Sequence, residues 1–212
     1  MDAVFWHERW EKNELGFHQP QGNPLLIKHY KRLPIKQDAR LFLPLCGKTR
    51  DIGWLRDKGF HILGCELSEL AVQQLFEELE ILPNVRDLGV CKQYSAKGLD
   101  IFVGDVFKLT PEMLGQVDAV YDRAALVALP IEMREAYSNH LRQITKVAPQ
   151  LLIVYEYDQN SMAGPPFSIS DAEVVRHYGA VYEIEDLERV YGEDCLKGRV
   201  SAYENVKLLL PK

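Results

Sequence analysis

Residues 44–55 read PLCGKTRDIGWL, and Gly47-Lys48-Thr49 within them is the tripeptide that closes a nucleotide-triphosphate loop. That loop needs a further glycine five positions before Gly47, and Phe42 stands there. The difference is physical: such a loop wraps phosphates with successive backbone N–H groups, whereas LFLPLC is an apolar strand. Lys48 and Thr49 are therefore read as the start of the following helix. Leu45, Cys46 and Gly47 become a turn at the carboxyl end of a first strand, where open α/β sheets form their ligand crevice. Cys46 in this turn reads as a small buried residue and not as a nucleophile, since no histidine is placed by sequence to activate it.

Glu66, in GCEL at the end of a second strand candidate, lies about 20 residues beyond the turn, where an acidic side chain accepts both hydroxyls of a ribose. Dinucleotide sites and S-adenosyl-L-methionine sites share that feature. A dinucleotide turn requires three glycines, one of them for close approach to a pyrophosphate, and this turn has one. S-adenosylmethionine carries no pyrophosphate and tolerates such a turn. Asp105, after a third strand candidate, is placed to accept from an adenine amino group, with Val106 against the ring. Taken in order, these features point to a methyltransferase and away from a nicotinamide dehydrogenase.

The elements that must position these residues alternate. ARLFLPLC, HILGCEL, DIFVGDVF, QVDAVYDR and QLLIVYEY are strand candidates, the first read as buried on both faces. SELAVQQLFEELE, with Ser68 as N-cap, and ALPIEMREAYSNHLRQIT repeat apolar residues at helical spacing. Ser170 and Glu173 read as a capping box opening DAEVVRHYG. AVYEIEDLERV and ENVKLLL close the chain as an antiparallel pair, and residues 81–99 read as a loop or small insertion. The expected fold is α/β, a doubly wound, mostly parallel, seven-stranded sheet with an antiparallel last strand. Residues 1–212 read as a single domain with residues 1–35 as an N-terminal helical cover or lid. In FWHERW of that segment, Trp6 and Trp10 share one helix face, and Trp6 reads as core.

The chain has 212 residues and a formal net charge of −6, with no basic run, which disfavours nucleic acid as a partner. No segment approaches a membrane span, and MDAVFWHERW lacks the pattern of a signal peptide. The four cysteines and six histidines show neither paired-cysteine nor zinc spacing. No metal is expected, and reduced thiols in the cytoplasm are the default reading.

Five separated blocks, FWHERW…GFHQ…NPLL, LPLCGKTRDIGWL, GCELSELAV, DRAALVAL and GPPF, resemble the thiopurine S-methyltransferase family over nearly the whole chain. The resemblance implies a class I methyltransferase (Rossmann-like) fold. It also implies S-adenosylmethionine as methyl donor, with S-adenosyl-L-homocysteine as product, and aromatic or heterocyclic thiols as small-molecule acceptors. Carried over by motif, Trp10, Leu45, Glu66 and Arg123 correspond to cofactor contacts, Gly47 belongs to the cofactor turn, and Asp105 with Val106 falls where the adenine is held. Asp105 stands where the family carries serine. Phe17, Arg123 and Arg199 are the expected substrate-side residues, and Tyr203 near the last of these stands where tryptophan is expected. His18 reads as a loop hydrogen-bonder. No side chain is expected to act as acid or base. Rival acceptors on the same fold are selenium or tellurium species, halide and thiocyanate; a rival of another class is a noncatalytic S-adenosylmethionine-binding module. The chain is expected to act as a monomer.

Overall fold

The protein, described from a computed structural model, is detailed at residues 3–12, 22–196, 198 and 200–212. Phe17, His18 and Arg199 lie outside the described residues. Strands β1 (Arg40–Leu43), β2 (His61–Glu66), β5 (Leu99–Val103), β6 (Ala119–Arg123) and β7 (Gln150–Glu156) run parallel. β9 (Val200–Pro211) pairs antiparallel with β7, and β8 (Tyr182–Leu196) pairs antiparallel with β9. The last pair is thus the antiparallel ending expected.

With β3 (Asn84–Asp87) and β4 (Lys92–Ala96), the sheet has nine strands among the described residues, in the order β3-β4-β5-β2-β1-β6-β7-β9-β8, not seven. The two extra strands come from residues 81–99, expected as a loop or small insertion, where β3 and β4 form an antiparallel hairpin on β5. Their period-2 pattern is faint because β3 is exposed at all four positions and only Tyr94 of β4 is buried. Pairing with a completed sheet, rather than burial, stabilises them.

Alternation along the parallel strands divides the core in two. Leu41, Leu43, Ile62 and Leu151 pack beneath Leu26 of α2 (Pro24–His29), Ile52 and Leu55 of α3 (Asp51–Asp57), and Val72, Leu75 and Phe76 of α4 (Glu69–Glu78). On the opposite face Phe42, Leu63, Val120 and Leu152 meet Leu114 of α5 (Pro111–Leu114), Tyr137, Leu141 and Ile144 of α6 (Ile131–Ile144), and Val174 and Tyr178 of α7 (Asp171–Tyr178). Each fully buried aliphatic side chain contributes about 1.5–3 kcal/mol, so both layers are held by the sheet between them. The strand order reverses at β1, which opens a crevice at the carboxyl ends of β1 and β6.

Helix starts follow local chemistry. Ser68 Oγ accepts from Ala71 N at 3.3 Å, and Ser170 Oγ accepts from Glu173 N at 3.2 Å. The expected box at Ser170 closes on one side: Glu173 Oε1 instead accepts from Arg134 Nη1 at 2.8 Å, a stronger charge-assisted partner. Helix α3 begins at Asp51, so Lys48 and Thr49 belong to the turn rather than to the helix. Lys48 is held there by an ion pair with Glu78 of α4 at 2.7 Å.

Candidate active site

The first strand-to-helix turn is bound to the neighbouring strand by main chain and side chain together. Cys46 N donates to Cys65 O at 2.9 Å, and Gly47 N donates to Glu66 Oε2 at 2.8 Å. The other carboxylate oxygen, Oε1, accepts from Ser68 N at 2.9 Å. Glu66 therefore ties the ends of β1 and β2 together through both oxygens, and each oxygen keeps a further lone pair. Burial pushes its carboxyl up, opposed by the N–H groups of Ser68, Gly47 and Leu67 and by His7 of α1 (Ala3–Glu11).

The turn is backbone-strained where it meets this carboxylate. Leu45 has φ +47° and Gly47 φ +52°. For a residue with a side chain the left-handed region costs roughly 1–2 kcal/mol, which Leu45 bears. Gly47 avoids it, and space demands glycine as well: a Cβ there would lie 2.9 Å from Trp10 Cζ2. Trp10 is 3% exposed, and its helix α1 packs against α4. Trp6, expected as core, is only half-buried, edge-on to Phe5 with ring centroids 5.2 Å apart.

Cys46 faces inward. Gly64 of β2 makes room for it, since a Cβ at Gly64 would lie 2.9 Å from its Sγ. Burial, then the Glu66 carboxylate, push the Cys46 thiol well up, so it stays protonated and unreactive, as expected for a packing residue.

At the end of β5, Asp105 is partly exposed and its Oδ1 accepts from Phe107 N at 3.0 Å, capping a short turn. Val106 is 1% exposed and belongs to the core under α6, where its carbonyl faces His140 Nε2 at 2.8 Å. The carbonyl pins the turn to α6.

The end of β6 is built around charge. Asp122 is fully buried; its Oδ2 accepts from Tyr137 Oη at 2.7 Å and its Oδ1 from Leu126 N at 3.2 Å. Burial outweighs those bonds and pushes the carboxyl up to about 6. Arg123 points to the opposite face, and Ala124 after it turns the chain with φ +65°. Burial lowers the Arg123 guanidinium, but Tyr121, Tyr155, Asp51 and Glu204 around it raise it further, so it remains a cation. Its Nε is buried and without a hydrogen-bond partner among the described residues.

Sequence reasoning missed the residues surrounding Arg123. Asp51, buried at the start of α3, accepts from Asn23 N at 2.6 Å and from Tyr121 Oη at 3.0 Å. Asn23 in turn caps α2 through Leu25 N at 2.8 Å. Asp51 thus fastens the chain ahead of α2 to the sheet, across a sequence separation that no local pattern reports. Tyr155 and Glu204 face each other across β7 and β9. Only the antiparallel register brings them together.

This rim fits S-adenosylmethionine: a carboxylate with both oxygens anchored and lone pairs to spare, a glycine cleared of side chain, and an indole beside it. Solved structures share the architecture. A methyltransferase from Anabaena variabilis, titled as dependent on S-adenosylmethionine, superposes with TM-score 0.63 at 15% identity, covering 98% of this chain and 95% of that one. The 1,6-didemethyltoxoflavin-N1-methyltransferase of Burkholderia thailandensis, with bound S-adenosylhomocysteine, gives TM-score 0.65 at 11% identity over 98% and 86%. The fold is that of the S-adenosylmethionine-dependent methyltransferases. A sequence model of the family Thiopurine S-methyltransferase (TPMT) matches residues 1–207. Proteins named thiopurine S-methyltransferase from Xanthobacter autotrophicus and Gluconobacter oxydans are 51% and 48% identical to this chain. The first match covers 99% of both chains, the second 97% of this chain and 93% of the relative. The chain belongs to the thiopurine S-methyltransferase family. It is an enzyme, a methyltransferase that uses S-adenosylmethionine.

Proposed function

We propose that the enzyme methylates aromatic or heterocyclic thiols of thiopurine type, acting as a single domain. The observation that carries the acceptor class is Arg123, a largely buried cation at the end of β6 whose Nε–H has no hydrogen-bond partner among the described residues. A cation in a site of low polarity favours the ionised form of an acidic thiol, and a thiolate needs no strong base to react.

Bound S-adenosylmethionine supplies a methyl group on a sulfonium, open to in-line attack by a soft nucleophile. The chain's part is to hold, align and dry the reactants. Glu66 would accept the ribose hydroxyls, its orientation already fixed by Gly47 and Ser68. Leu45 and Gly47 line the turn, and Asp105 with Val106 would take the adenine. Trp10 presents an aromatic surface to a cationic sulfonium, an attraction of about 2 kcal/mol once water is removed. Residues 1–35 act as the cover of the site, a role supported by the packing of α1 on α4 and by Trp10 over Gly47. Phe17 and Arg199 would complete the acceptor side. The four free thiols suit a reducing compartment, in line with a cytoplasmic enzyme; the enzyme acts as a monomer. Among the described residues no helix is long and apolar enough to cross a membrane.

A panel of acceptors with methyl-labelled cofactor tests the reading. Aromatic thiols should be labelled in preference to thiocyanate, halide and selenium or tellurium species. Failure of every aromatic thiol would overturn it.

A further inference from the structure

Arg123, Tyr155 and Glu204 stand at the carboxyl-end rim on three adjacent strands. Arg123 pairs with Ile153, and Tyr155, two residues further along β7, pairs with Glu204 of β9. Residues two apart share a face, so Arg123 and Glu204 flank β7 from either side with Tyr155 between them. Arg123 Nε and Glu204 Oε1 are both buried, and neither has a hydrogen-bond partner among the described residues. Leaving a buried donor or acceptor unmet is costly, yet the two are not joined to one another. A donor and an acceptor held apart in this way match a ligand that offers one acceptor and one donor side by side. In a heterocyclic thione, N–H and C=S occupy neighbouring positions of the ring.

We propose that Glu204 is a catalytic residue that accepts the ring N–H proton of a heterocyclic thione whose sulfur faces Arg123. The inference rests on thiol methylation as proposed above and specifies which acceptors the site prefers. In the step, the N–H bond breaks, its proton passes to the Glu204 carboxylate, and its electron pair delocalises onto the exocyclic sulfur. The resulting thiolate is stabilised by the Arg123 cation and is the nucleophile. Tyr155 suits the role of holding Glu204: burial and then the adjacent Glu204 carboxylate push its hydroxyl well up, so it remains a neutral donor. The other titratable groups facing this cluster are Tyr121 of β6, Asp51 of α3 and Cys195 of β8.

The test compares 2-mercaptopyridine, a thione with a ring N–H, with thiophenol, which has none. Glu204→Gln should lower kcat/KM for 2-mercaptopyridine about 100-fold near neutral pH, the scale of general-base assistance, and by a much smaller factor for thiophenol. The loss should shrink as pH rises and the acceptor ionises unaided, and Glu204→Asp should recover part of it. A second readout needs no turnover: in the complex with S-adenosylhomocysteine, 2-mercaptopyridine should absorb as thiolate on the wild type and as thione on Glu204→Gln. Equal losses for the two acceptors, or the same absorbance on both proteins, would overturn the role of Glu204. A wild type that methylates neither acceptor would instead overturn the thiol reading itself.

Discussion

The rim of the sheet is finished differently on its two sides. At the ends of β1 and β2, Glu66 has both oxygens bound by main-chain N–H groups, and Trp10 packs on the one glycine that admits it. At the end of β6 and within β9, the Arg123 Nε and the Glu204 Oε1 have no hydrogen-bond partner among the described residues. On the function proposed above, the contrast matches two ligands of different constancy. A cofactor that is always the same molecule rewards a site fixed in advance. Acceptors that vary are better met by charged groups whose partners arrive with the ligand.

The largest effect should come from breaking the fixed side at its tightest point. Gly47→Ala places a Cβ against Trp10 in a left-handed backbone, at a combined cost of about 3 kcal/mol, or on the order of 100-fold in S-adenosylmethionine affinity by calorimetry. Unchanged affinity would break the account of that turn.

On the other side, the support beneath Arg123 is pH-sensitive. Asp122 titrates at about 6 in the fold against an ordinary 3.8, so the folded state holds the proton more tightly. The stability this contributes is complete below the ordinary value and is lost as pH rises through about 6, by at most about 3 kcal/mol. Asp122→Asn should remove that decline between about pH 4 and 6 in urea unfolding while keeping an acceptor for Tyr137. A decline that persists in the variant would assign it to another group.

Glu66→Gln puts an amide donor where two N–H groups already donate. Cofactor affinity should fall by about 2 kcal/mol, roughly 30-fold, with a smaller change in acceptor KM. An equal change in both would erase the distinction between the two sides. Trp10→Ala should weaken S-adenosylmethionine binding by about 1–2 kcal/mol, again by calorimetry, and unchanged binding would end its role. The smallest effect belongs to Lys48→Ala, which removes the ion pair to Glu78. Thermal unfolding should register less than about 1 kcal/mol and cofactor affinity should hold, since this lysine faces α4 and not a phosphate.

The fixed side was the more legible in the sequence. Its residues sit on short strand-to-helix turns, where spacing along the chain maps almost directly onto position in space. That is why Gly47 and Glu66, 19 residues apart, could be paired from sequence and meet at 2.8 Å. The charged side was only half legible: DRAALVAL marked Arg123, but Tyr155 and Glu204 are ordinary strand residues in sequence. The hairpin of β3 and β4 was missed for a related reason, its residues being exposed and lacking a buried face to write a pattern. Asp51 looked like any acidic residue in the first turn of a helix, and its bond to Asn23 spans 28 positions.

By itself the sequence determined the parallel core, the helices that cover it, the antiparallel ending and the place of the first strand-to-helix turn. These follow from local periodicity, capping and the missing glycine at Phe42, all of which act over a few residues. Only the tertiary structure decided how many strands the sheet holds, that Lys48 is tied to Glu78, and which side chains surround Arg123. Those outcomes depend on strand register and on groups far apart in the chain, and their energies exist only once the sheet has brought them together.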